Sequence, residues 1–107
     1  MEKTRLEFLL ETVAHEPDNT FARYGLAMEL ARSDRPEAAW EHFESLLMRH
    51  PKYTPTYYQA SAYLLSRGRR DEAREVVRKG IEVTGAQGNA HAQSELERLL
   101  GEIEAPS

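Results

Sequence analysis

The sequence contains no cysteine and no long uninterrupted apolar run. The first absence excludes disulfides, thiol catalysis and thiolate metal sites, and it fits a reducing compartment. The second excludes a membrane-spanning helix, and the opening MEKTRLEFLLETV carries acidic residues where a signal peptide needs an apolar stretch. We therefore expect a cytoplasmic protein, bacterial in style.

The composition is that of a globular protein with one hydrophobic core. Of the 107 residues, 40% are apolar and 30% are charged, which is unlike a disordered or membrane chain. The net charge of −4 argues against general affinity for nucleic acid.

Residues 17–50 resemble residues 51–84 at an offset of 34 positions. Self-similarity at such a period is typical of stacked supersecondary units. The identical positions are Pro17/Pro51, Thr20/Thr54, Tyr24/Tyr58, Leu30/Leu64, Arg35/Arg69, Ala39/Ala73 and Glu41/Glu75.

Each repeat contains two amphipathic helices. Leu26, Ala27 and Leu30 follow helical spacing, as do Ala39 and Phe43 in the next segment. We predict an all-α fold whose six helices lie near 2–15, 18–32, 36–49, 55–67, 71–84 and 90–103.

Particular residues mark the ends and crossings of these helices. Gly68 can adopt the positive φ of a C-terminal stop, and Asn89 is suited to cap the last helix. Ala39 and Ala73 are small enough to let two antiparallel helices approach closely. We predict a single domain over 1–103, with an N-terminal helix at 2–16, repeats at 17–50 and 51–84, a capping helix at 89–103 and a frayed tail at 104–107.

This pattern resembles the tetratricopeptide repeat family. The matching residues are Leu26, Ala27, Leu30, Ala39, Phe43 and Pro51 in one repeat, and Ser61, Leu64, Gly68, Ala73 and Gly80 in the next. The resemblance implies antiparallel helix pairs stacked as a short right-handed superhelix, and a scaffold that binds peptides or proteins on its concave face and is not an enzyme. The chain departs from the family pattern at Arg23, Leu46 and Gly85, where the family favours an aromatic, a small residue and proline.

The first helix of each repeat carries a second apolar stripe beside its core stripe. In the family geometry this stripe lines the concave groove, and tyrosine and methionine are favoured where a partner is buried. The alternative is that the last helix covers part of the stripe as ordinary core. The candidate binding residues are Phe21, Tyr24, Met28, Arg32, Tyr58, Gln59, Ala62 and Leu65.

A subset of the family grips a C-terminal carboxylate with lysines and asparagines. The corresponding positions here resemble Gly25, Gln59, Arg32 and Ser66, of which only Arg32 and Gln59 could help. We therefore reject that chaperone-tail interpretation, while a looser contact with an acidic or polar peptide survives.

Two other sets of residues are better explained by structure than by function. The basic residues Arg67, Arg69, Arg70, Arg74, Arg78 and Lys79 are interleaved with acids, which is typical of a solvated face. Trp40 is expected to be half-buried on the convex side.

The four histidines do not predict a metal site. His42 and His50 are too far apart on one helix to share an ion, whereas His15 and His50 lie near helix C-termini, where the dipole favours an imidazolium. No nucleophile, phosphate loop or carboxylate pair can be assembled, so we expect no catalysis, no metal and no cofactor.

The sequence therefore favours a small adaptor that binds a peptide or a helix of a protein partner. The alternative is a homo-oligomeric module, such as a homodimer, that buries the same apolar surface. A nucleic-acid binder is disfavoured, and a membrane partner is not expected.

Overall fold

The computed structural model describes residues 2–106, and every regular element in that range is a helix. The six helices are α1 (Arg5–His15), α2 (Thr20–Ala31), α3 (Glu37–Arg49), α4 (Pro55–Ser66), α5 (Arg70–Ala86) and α6 (Ala90–Glu104). The predicted all-α fold with six helices is confirmed. None of the helices between residues 2 and 106 is long and apolar enough to span a bilayer.

Side-chain caps fix where three helices begin. The Thr4 hydroxyl accepts from the Glu7 amide at 3.1 Å, and the side-chain oxygen Oδ1 of Asn19 accepts from the Ala22 amide at 2.9 Å. Asn89 caps α6 as predicted, since its side chain accepts from the Ala92 amide. Each cap satisfies an amide that the first helical turn leaves without a partner.

The helix ends differ from the prediction where the cap or stop signal differs. Because Thr4 caps α1, the helix starts at Arg5 and not near residue 2. Gly68 has the expected positive φ of 74°, but α5 continues through Gly85, where no proline interrupts it. It ends before Gly88, whose φ is 70°.

The helices form two compact units, Met1–His50 and Pro51–Ser107. The division lies between residues 50 and 51, and the domain bounds expected from the sequence stay a prediction. Within the first unit, α2 packs against both α1 and α3. The predicted close-approach residue Ala39 is fully buried there, in a core made of Leu9, Val13, Ala22, Leu26, Ala27, Leu30, Ala39, Phe43 and Leu46.

In the second unit, α5 packs against both α4 and α6, and α6 also touches α4. Gly80 brings these helices together, because a Cβ atom there would lie 2.7 Å from Tyr57 Cβ and 2.9 Å from Leu96 Cδ1. Real side chains do not approach so closely, so only glycine fits this crossing. The core consists of Tyr57, Ala60, Tyr63, Leu64, Ala73, Val77, Leu96, Leu99 and Ile103.

The C-terminal end of α6 is held by Arg70 of α5. The Arg70 Nε donates to Ile103 O at 2.7 Å, and Nη2 donates to the same oxygen and, at 2.9 Å, to Ala105 O. These are carbonyls that a helix end leaves without intrahelical partners. Glu104, assigned from the sequence to a frayed tail, is helical, whereas Ser107 of that predicted tail lies outside the described residues.

Candidate peptide-binding faces of the two units

In the first unit, the predicted binding residues lie on one face of α2. Phe21, Met28 and Arg32 are spaced at i, i+7 and i+11, and Tyr24 lies beside them, so all four point away from the buried Leu26 side. The Phe21 side chain is 79% exposed, while Tyr24 and Met28 are half-buried. This set is called the α2 face below.

Gly25 forms the floor of the α2 face and allows α1 to approach. A Cβ atom at Gly25 would lie 3.3 Å from Leu9 Cδ2 and 3.8 Å from Arg5 Nη2. The Arg5 guanidinium therefore lies over the glycine, at the edge of the face. An arginine of α1 thus joins the site, although it is not among the residues predicted from the sequence.

Arg5 and Arg32 meet at one carboxylate. Arg5 Nε lies 3.4 Å from Glu29 Oε2, and Arg32 Nη2 donates to the same oxygen at 2.8 Å. A sequence signal for Arg5 did exist, because it aligns 34 positions before Ala39. Ala39 is fully buried, whereas Arg5 at the equivalent position of α1 carries a long charged side chain that is 66% exposed.

In the second unit, Tyr58, Ala62 and Leu65 share the outer face of α4, and Gln59 lies at its side. Tyr58 is 39% exposed, and the other three are partly buried. Leu65 lines a shallow depression of about 450 Å³ together with Arg70, Ile103 and the segment after α6. The last helix thus leaves Tyr58 accessible. This set is called the α4 face below.

Each unit therefore brings its own predicted residues together on one helix. The idea that the α2 face and the α4 face form a single concave surface stays a prediction. One accessible aromatic that the sequence analysis missed is Phe8 of α1, which is exposed beside the Lys3–Glu11 ion pair. Its spacing from Leu9 and Val13 places it off the core stripe, which was the available signal.

Four basic residues at the start of α5 and along it, Arg69, Arg74, Arg78 and Lys79, are paired with acids. Arg69 binds Glu72 in a two-bonded contact, with the shorter bond at 2.6 Å, and this hydrogen bonding lowers the pKa of the Glu72 carboxyl. Arg74 pairs with Asp71, Arg78 with Glu104 and Lys79 with Glu82. This pairing favours the interpretation of a solvated face.

The histidines occupy separate environments. His15 Nδ1 lies 2.9 Å from Glu11 O near the end of α1, and His50 is the C-cap residue of α3. His42 Nδ1 lies 3.1 Å from Arg23 Nη1 and accepts its hydrogen bond, because an arginine only donates. Burial and the Arg23 charge lower the pKa of His42, opposed by Glu41. Within residues 2–106, no three metal-ligating side chains come together.

The chain is similar in structure to a tetratricopeptide repeat domain protein from Salinibacter ruber. Its solution structure is 33% identical in sequence, matches with a TM-score of 0.78, and is covered over 89% of its length by 82% of this chain. Its crystal structure is 32% identical, with a TM-score of 0.76 and coverage of 98% of that chain and 81% of this one.

A solution structure of a Bordetella parapertussis protein shows the same fold. It is 24% identical, with a TM-score of 0.79 over 95% of this chain and 89% of that one. No family model and no curated protein matches the sequence.

These likenesses define an all-α helical repeat protein. With a third of its residues identical to the Salinibacter domain over most of both chains, the chain belongs to the tetratricopeptide repeat family.

Proposed function

We propose that this chain is a non-enzymatic scaffold that binds a peptide or a helix of a partner protein through the α2 face and the α4 face. The family to which it belongs has a general protein-interaction fold. The observation that carries the proposal is the exposure of Phe21, which stands 79% accessible among the half-buried Tyr24 and Met28.

An exposed aromatic of this kind is an effective anchor. Burying a phenylalanine side chain contributes about 1.5–3 kcal/mol, and binding energy concentrates in a few such residues. On the α4 face, Tyr58 offers a second aromatic with a polar end that can stay wet. Neither residue contributes a buried side chain to its own unit, so both are available to a partner.

The proposal is tested by comparing what the protein captures from its native cell with and without these aromatics. Phe21→Ala and Tyr58→Ala should keep the helical circular dichroism signal and lose the captured protein. Met48→Ala serves as the matched control, because Met48 is 77% exposed but lies on α3, which contributes no residue to either face. Loss of the same protein from all three variants would contradict the assignment.

The alternative assigns the same surface to a second copy of the chain. Light scattering over a range of concentrations distinguishes the two. If the protein is a dimer and Phe21→Ala dissociates it, the α2 face is a dimer interface. A monomer at all concentrations supports the scaffold function.

A further inference from the structure

Two arginines share one carboxylate at the edge of the α2 face. Arg5 and Arg32 both contact Oε2 of Glu29. The other lysine and arginine ion pairs described between residues 2 and 106 each join one cation to a different carboxylate. These three side chains together carry a local excess of one positive charge in a chain whose net charge is −4.

The two guanidiniums still have donors to offer. Both arginine side chains are 66% exposed, and the hydrogen bond to Glu29 comes from one nitrogen, Nη2 of Arg32. A guanidinium carries five N–H donors and binds a second carboxylate best through two parallel bonds. A carboxylate from outside the protein can thus bind here without displacing Glu29.

The arginines adjoin apolar surface on the same face. Arg32 follows Met28 by one helical turn, about 6 Å along the helix, and follows Phe21 by about 16 Å. Arg5 Nη2 lies over Gly25 beside the Leu9 side chain, so the charge stands at the edge of the apolar part of the face. One short peptide segment can reach both.

We propose that the α2 face recognises an acidic peptide in which apolar side chains accompany the carboxylate. The carboxylate binds between Arg5 and Arg32, and the apolar side chains pack on Phe21 and Met28. This inference rests on the proposed scaffold function and specifies the chemistry of the partner. Charge complementarity sets its specificity, because a neutral or basic segment gains nothing from the two arginines.

The sharpest test is a gain of affinity. Glu29 competes with an outside carboxylate for the two arginines, and Glu29→Gln removes its charge. A fluorescein-labelled peptide of alternating leucine and glutamate should therefore bind this variant about twofold to fivefold more tightly, as measured by fluorescence anisotropy. Glu97→Gln makes the same change in net charge on the exposed surface of α6 and should leave the affinity unchanged. A merely structural role for the cluster predicts no gain.

Loss of affinity completes the test. Arg5→Gln and Arg32→Gln should each weaken the acidic peptide about twofold to fivefold, whereas Arg98→Gln on α6 should not. A peptide with glutamine in place of glutamate should bind the unmodified protein more weakly and be insensitive to both changes. Added salt should weaken only the acidic peptide.

The outcomes separate this inference from the scaffold function. Equal binding of both peptides, or no binding of the acidic one, overturns the charge recognition. If both peptides bind, Phe21→Ala abolishes that binding and the arginine variants bind normally, the scaffold function stands and the charge recognition does not. Binding that depends on the arginines and ignores Phe21→Ala would instead overturn the apolar anchor.

Discussion

The Arg23 guanidinium and the Tyr57 hydroxyl make equivalent hydrogen bonds in their respective repeats. Arg23 Nη2 donates to Pro17 O at 2.9 Å, and the Tyr57 hydroxyl donates to Pro51 O at 2.5 Å. Both donors and both acceptors are 34 positions apart in the sequence. The arginine therefore ties the start of its repeat to the first helix as the tyrosine does, although the family favours an aromatic there.

The residue size in the second helix of each repeat differs together with this replacement of tyrosine by arginine. Tyr57 lies against Gly80, where no Cβ can fit. The residue equivalent to Gly80 in the first repeat is Leu46, which is fully buried. In that repeat the residue equivalent to Tyr57 is Arg23, which has no ring. We therefore expect the two departures from the family pattern, at positions 23 and 46, to compensate each other in size.

Gly80→Ala should destabilise the protein by about 1–3 kcal/mol, because the new methyl group overlaps Tyr57 and Leu96 and the helices must separate. Urea unfolding followed by circular dichroism measures the change. Gly101→Ala is the control, since a Cβ there meets nothing within 4 Å. It should stabilise the exposed helix by up to about 1 kcal/mol, and equal effects at the two sites would contradict the close approach.

Two buried threonines should respond in opposite directions to valine. Thr56 Oγ1 is buried without a hydrogen-bond partner, so Thr56→Val removes an unsatisfied group and should stabilise by up to about 1 kcal/mol. The Thr84 hydroxyl donates to Gly80 O at 2.9 Å, so Thr84→Val should cost about 0.5–1.5 kcal/mol. Thermal melts of both variants check the signs, and a loss at both positions would mean that the Thr56 hydroxyl is satisfied.

His42 should make the stability depend on pH. Burial and the Arg23 charge lower its pKa in the folded state, so the unfolded chain binds the proton more readily. Its contribution is therefore fully present above the ordinary pKa of about 6.5 and decreases as the pH falls from there through the folded value. Unfolding free energies between neutral pH and pH 5 measure this slope.

The control for this effect keeps the contact and removes the titration. The amide oxygen of His42→Gln can still accept from Arg23, so this variant should lose less stability than the unmodified protein on acidification. An unchanged slope in His42→Gln would refute the assignment.

The periodicity of the sequence predicted what depends on neighbours along one helix. Gly68 has the expected positive φ, Asn89 caps α6, and Ala39 and Ala73 are fully buried. Contacts between distant residues were not predictable in this way. Nothing local in the sequence reveals that Arg23 reaches both Pro17 and His42, because that contact exists only once the helices are packed.

In the candidate site, too, only the residues of a single helix were predictable from the sequence. The spacing of Phe21, Tyr24 and Met28 predicted that they share one face of α2, since helical geometry alone decides it. Spacing could not show that Arg5 lies over Gly25 or that it shares Glu29 with Arg32, because α1 supplies that residue. The charge character of the face therefore emerged only from the structure.

The relation between positions 23 and 46 can be tested by exchanging them. Arg23→Tyr introduces the residue of the second repeat opposite Leu46 in place of glycine, so the ring should overpack the crossing at a cost of about 1–3 kcal/mol. Leu46→Gly alone should cost about 2–5 kcal/mol, because it removes a buried side chain from a helix interior. In the double variant, the tyrosine ring fills the space that Leu46 leaves, and its hydroxyl can donate to Pro17 O. The double variant should therefore be more stable than the sum of the single changes predicts, by about 0.5–3 kcal/mol in a double-mutant cycle, and additive losses in urea unfolding would show that the two positions are independent.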